Sequence, residues 1–215
     1  MKTARLTTTA LAGALALTAC SGLKEPPRQE IPVVTAQTAN APQLQQVQAA
    51  GRELVRQHRL IRRGDEPQRS AAARRAVQTA LAVDTMRCAE GYQALTLEGD
   101  AAGGPGEGLI AVYLVPTPAD DDAVPIGGFH RITVDAASGQ VVHRAAMTPG
   151  CLDLSLRPGG AATGATVRTL LVNHGLTPYP LENHVYASMV SAVELVVVTP
   201  SATWRVADGR VKSLD

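Results

Sequence analysis

At 215 residues, 45% of them hydrophobic, the chain is long enough for one domain with a sizeable core. Its 20 basic and 19 acidic residues, a formal charge of +1, lack the basic excess of a nucleic-acid binder. One Trp, four Tyr and one Phe are too few rings for base-stacking platforms or aromatic-lined sugar clefts, so Val, Leu and Ala must build the core.

Lys2 and Arg5 precede the apolar run Leu-Ala-Gly-Ala-Leu-Ala-Leu-Thr-Ala-Cys at residues 11–20. A charged start followed by a short apolar run with small residues reads as a secretory signal, too short to span a bilayer. Its last four residues, Leu17-Thr18-Ala19-Cys20, resemble the lipobox of bacterial lipoproteins. The resemblance implies cleavage before Cys20 and lipidation of its sulfur, with more than one acyl chain and therefore a lasting membrane attachment. Ser21, where an Asp would signal retention, implies the periplasmic face of the outer membrane. An ordinary secretory cleavage site is the alternative. Loss of residues 1–19 removes Lys2 and Arg5 and leaves the balance slightly negative.

Residues 20–43, with Pro26, Pro27, Pro32 and Pro42 and few large apolar groups, read as a tether, and residues 44–215 as a single domain. From Leu44 to Arg63 the positions Leu44, Val47, Gly51, Leu54, His58 and Ile61 recur at the period of an amphipathic helix that Gly64 ends. Asp65-Glu66-Pro67 is expected to open a second helix, reaching about Thr85, with a narrow stripe through Ala73, Val77, Ala80 and Leu81. Strands are predicted over Tyr92–Leu97 and Leu109–Val115, then a hairpin of Phe129–Asp135 with Gln140–Met147. Thr166–His174 reads as a third helix stopped by Gly175, whereas His184–Val190 and Val193–Thr199 read as strands. Asp208-Gly209 marks a final hairpin within Trp204–Val211. The expected class is α+β: an N-terminal helical hairpin, a mainly antiparallel sheet and one further helix.

With Cys20 assigned to lipid, Cys88 and Cys151 remain as an even pair in an oxidising compartment, and a disulfide is the simplest reading. Free thiols or a histidine-assisted catalytic cysteine are the alternatives. An even-length turn would bring His130 and His143 onto one face of the hairpin with Ile132 and Val134. With His184 on another strand, a three-histidine metal site is conceivable, but no local ligand spacing supports it. The histidines are expected to be surface or structural residues, and no cofactor is expected. Gly103–Gly108 lacks the Gly-Lys-Ser/Thr ending of a phosphate loop, Asp120-Asp121-Asp122 lacks the alternating ligands of a calcium loop, and Arg63-Gly64-Asp65 falls between helices. The local signatures of serine hydrolases and zinc proteases are absent.

Charge is unevenly laid out. Residues 52–75 carry eight Arg against Glu53, Asp65 and Glu66, whereas residues 84–135 carry nine acids against Arg87 and Arg131. Arg56, Arg59 and Arg63 are thereby candidates for binding an acidic partner, although solvated helix faces give the same pattern. The stretch from Phe129 to Val142 resembles the strand-turn-strand of PepSY-type periplasmic domains. The segments around Glu182–Tyr186 and Thr203–Val211 are similar to proteobacterial envelope proteins without an assigned activity. Neither resemblance carries over a catalytic residue. The expected function is a membrane-tethered periplasmic lipoprotein, a non-enzymatic module that binds another envelope protein through its arginine-rich helix or a sheet edge. The alternatives are a hydrolase or metal-dependent enzyme with a histidine-containing site on the sheet, and a PepSY-like protease inhibitor that needs a helix across the hairpin.

Overall fold

The computed structural model describes residues 41–85, 87–99, 103–118, 123–156 and 168–215. The expected signal segment, Cys20, the other residues before Ala41 and Asp120-Asp121-Asp122 lie outside them. Helix α1 spans Ala41–Arg62, so residues 41–43 form its first turn rather than the end of a tether. Pro42 suits that position, because its fixed φ and missing N–H cost nothing in a first turn. Helix α2 spans Ala71–Ala82 and starts later than Asp65 would place it. Ser70 is its N-cap, accepting from the Ala73 N–H at 3.0 Å. Its buried stripe runs through Ala73, Ala76 and Ala80; Leu81, assigned to the stripe by sequence, is 43% exposed.

The strands are β1 (Tyr92–Glu98), β2 (Leu109–Pro116), β3 (Ala123–Pro125), β4 (His130–Asp135), β5 (Val141–Ala146) and β6 (Asp153–Ser155), then β7 (Thr169–Asn173). Helix α3 (Glu182–Ser191), β8 (Glu194–Val198), β9 (Thr203–Ala207) and β10 (Arg210–Ser213) complete the chain. Among the described residues one antiparallel sheet has the order β1-β2-β4-β5, a second has the order β10-β9-β8-β7, and β3 pairs with β6. This is the expected α+β class. The two N-terminal helices take opposite faces of the first sheet: Ala50, Leu54 and Val55 of α1 pack on Leu95, Leu97 and Tyr113, and the α2 stripe packs on Ile110, Val112 and Ile132.

Two local assignments are corrected. Thr169–Asn173 is a strand, β7, paired in parallel with β8, not part of a helix. Its residues alternate exposed and buried, with Leu170 and Val172 inward and Leu171 67% exposed, which is the period of a half-covered strand. The third helix is instead α3, over residues read as a strand. Glu182 to Ser188 are all buried, so no polar face betrays the helical period. The cause is layering. Helices α1 and α3 lie between the two sheets, with Val185 and Ala187 packed against the second sheet and Tyr186 against the first. Gly51 allows α1 and α3 to meet: a Cβ there would lie 2.5 Å from the Val185 Cβ.

The last hairpin forms as predicted, with Asp208 (φ 51°) and Gly209 (φ 72°) supplying the left-handed pair of a tight primed turn. The Cys88–Cys151 disulfide is present, tying the approach to β1 to the segment after β5 across 63 residues of sequence.

Candidate functional site

Arg52, Arg56 and Arg59 on α1 and Arg63 just past its end recur at helical spacing and line one groove, of about 240 Å³, with Val55, Leu60 and Met189. Arg52 donates to the Gly209 carbonyl at 2.9 Å, which anchors it on the β9–β10 turn without neutralising its charge. Arg56 donates two hydrogen bonds to Glu53, at 2.7 and 2.6 Å, and that contact holds the Glu53 carboxyl below its ordinary range despite partial burial. Among the described residues no carboxylate forms an ion pair with Arg52, Arg59 or Arg63. The groove continues past Arg59 and Met189 to a second depression of about 350 Å³, bounded by Glu194, Arg205 and Asp208. There Arg205 is paired with Glu194 at 2.6 Å. The three sequence-proposed arginines are thus brought together over a partly apolar floor. Arg52, which sequence reasoning did not single out, joins them through the same spacing and was legible in it.

The histidines divide differently. His130 lies buried on the α2 side of β4, beside Tyr92, and His184 lies in α3 on the other side of that sheet. His143 is exposed on β5 and pairs with Thr133. A register shift between Thr133 and Val134 is the physical reason. It rotates His143 onto the face opposite His130, which an unbroken register would have kept on the same side. These three candidates therefore form no common site, and no group of three or more His, Cys, Asp or Glu able to hold a metal occurs among the described residues.

His184 is paired instead with His174, ring centroids 4.6 Å apart and nearly perpendicular. The Leu181 N–H donates to His184 Nδ1 at 3.0 Å, so the ring's proton sits on Nε2. Burial, with His174 beside it, pushes His184 down to about 3. Thr177 donates its hydroxyl proton to the Tyr179 carbonyl and so accepts from His174 Nε2 at 2.7 Å, fixing the same Nε2–H tautomer there. Burial lowers His174 as well, so both rings are neutral near pH 7. They floor a cavity of about 290 Å³ walled by Thr148–Leu152 and by Leu171–Asn173. Sequence reasoning missed this pair because it placed His174 at a helix end and His184 at a strand start.

A third cluster is structural. Glu182 Oε1, buried at the start of α3, accepts from the Tyr113 hydroxyl at 2.7 Å and from Arg131 at 2.8 Å. Burial and the adjacent carboxylate hold the Tyr113 phenol well above its ordinary range, so it remains a donor. The arrangement staples α3 to the first sheet.

Comparison with protein-family models, with curated proteins and with solved structures gives no match. Among the described residues no helix is long and apolar enough to cross a membrane.

Proposed function

We propose that the protein is a membrane-tethered periplasmic lipoprotein that works as a non-enzymatic binding module of the cell envelope, docking an acidic protein in the arginine-lined groove of α1. The observation that carries this reading is the groove itself. Among the described residues, Arg52, Arg59 and Arg63 present charge without a paired carboxylate, and Val55, Leu60 and Met189 offer an apolar strip between them. Arginine suits the task because its planar fork binds carboxylates bidentately. The tether is read from Leu17-Thr18-Ala19-Cys20 alone. The dispersal of His130, His143 and His184 supports a binding module over a metal-dependent enzyme.

Reversing Arg56, Arg59 and Arg63 to Glu tests the groove. Binding of a polyglutamate probe, and crosslinking to envelope proteins in intact cells, should fall most clearly at low salt, where exposed charges act over about 10 Å or more. Unchanged binding by the folded variant would eliminate the groove. Cys20→Ala tests the tether separately: lipid labelling should vanish, and persistence of normal membrane attachment would refute lipidation.

A second reading, a PepSY-like protease inhibitor, is favoured by one observation. Helix α2 packs over β4, the first strand of that hairpin, as well as over β1 and β2, with Ala73, Ala76 and Ala80 in one cluster with Ile132 and Val134. Titrating the protein into an envelope-protease assay tests it, and absence of inhibition at stoichiometric excess removes it.

A further inference from the structure

Among the described residues, the β7 edge of the second sheet has no strand beside it and borders a cavity. In the β7–β8 pair the Glu194 N–H donates to the Arg168 carbonyl and the His174 N–H to the Val198 carbonyl. Backbone groups alternate along a strand, so residues 168, 170, 172 and 174 face β8. Thr169, Leu171 and Asn173 therefore direct their N–H and C=O groups away from the sheet. All three are exposed, and β7 is the end of its sheet among the described residues. Where this edge reaches its C-terminal end it opens onto the histidine-floored cavity of about 290 Å³.

Two of the exposed large apolar side chains, Leu152 at 51% and Leu171 at 67%, stand on the lining of that cavity. Its far wall is rigid: the Ile126 and Gly127 N–H groups both donate to the Leu152 carbonyl at 2.8 Å, Gly128 donates to Gly150, and the disulfide at Cys151 secures the segment. Among the described residues, no Asp, Glu, Lys or Arg lines the cavity. The floor, His174 and His184, is 1% and 3% exposed.

We propose that β7 is an acceptor edge for an extended peptide segment of a partner protein, which adds as a further strand and places one uncharged, branched apolar side chain in the cavity between Leu152 and Leu171. The outward N–H and C=O groups match only an extended backbone, and the uncharged cavity matches only a side chain that surrenders no ionic hydration on entry. Neutral histidines beneath it add no charge that would call for an anionic group. This site is distinct from the arginine groove, whose complement is acidic, and stands or falls without it.

The probe is a fluorescein-labelled, C-amidated peptide, Lys-Thr-Thr-Leu-Thr-Thr-Lys, read by anisotropy and by amide shifts of the isotopically labelled protein. Saturable binding is expected, with the largest shifts at Thr169, Leu171, Asn173 and the 148–152 segment. Replacing the central Leu by Asp, or N-methylating alternate peptide residues, should weaken binding at least tenfold without altering the protein. Leu171→Pro removes one outward N–H but no sheet hydrogen bond, so it should fold and lose at least tenfold in affinity. Absence of saturable binding, indifference to N-methylation, or shifts confined to α1 would overturn the proposal. So would concentration-dependent dimerisation that Leu171→Pro abolishes, which would make a second copy the occupant.

Discussion

The two four-stranded sheets solve the same burial problem with different coverage. In the first sheet β2 is buried along nearly its whole length, because α2 covers one face and α1 with α3 the other. In the second sheet β7, β8 and β9 alternate buried with half-buried or exposed residues, because only one face meets the helical layer. Strand connectivity differs as well. The first sheet is antiparallel throughout, with β3 passed over between β2 and β4, whereas the second contains a parallel β7–α3–β8 crossover. A sheet enclosed over its inner strands has only its edges to offer a partner, here the largely exposed β5. The half-covered sheet retains a face, an edge and a cavity, and the proposed peptide site lies there.

One large effect that bears on this contrast is removal of the link between the first sheet and the wall of that cavity. Cys151→Ser should cost about 4 kcal/mol, since the bridge closes a loop of 63 residues. Chemical denaturation with and without reductant measures it, and equal stability in both conditions would contradict a structural role. Next, Gly51→Val forces a side chain into Val185 and should cost about 3 kcal/mol by prying α1 from α3, the layer that both sheets share. A cost below about 1 kcal/mol would mean the helices separate readily.

The coverage difference itself can be broken at adjacent residues. On β2, Val112→Asp and Tyr113→Asp should both prevent folding, because both positions are buried. On β7, Leu170→Asp should be similarly damaging while Leu171→Asp stays within about 0.5 kcal/mol of the parent. Circular dichroism and urea titration distinguish the pairs, and a destabilising Leu171→Asp would show the outer face to be covered.

A smaller effect is expected from pH. His184 falls from 6.5 to about 3 on folding, so the unfolded chain takes up a proton that the folded chain refuses. Stability is full above pH 6.5 and declines as pH falls, by about 2 kcal/mol between pH 7.5 and 5 from this group alone. His184→Gln keeps an acceptor for the Leu181 N–H and should flatten that decline. The smallest change is in the arginine groove, where Arg59→Ala should leave stability within about 0.5 kcal/mol while weakening polyglutamate binding at low salt.

The strands of the first sheet were legible in the sequence because each is marked out locally. Tyr92–Leu97, Leu109–Val115 and the two hairpins are bounded by local turn signals, and the left-handed Asp208-Gly209 pair needs no distant partner to be recognised. Helix α1 was legible through its apolar period, and its arginines came with it. The β7–α3 segment was not, because Val167, Leu170, Leu171 and His174 mimic helical spacing while α3 has no polar face to reveal its own. His143 was misplaced by one bulge.

What the sequence alone determined, then, was whatever depends on short-range physics: helix caps and breakers, strand alternation, turn residues and the parity of the cysteines. Tertiary structure decided which apolar run became helix between two sheets and which became a strand, since burial on all sides erases periodicity. It also paired His174 with His184, residues ten apart in sequence and joined only by the crossover. The cavity they floor exists because a parallel strand ends beside a disulfide-held loop, an arrangement that no local signal encodes.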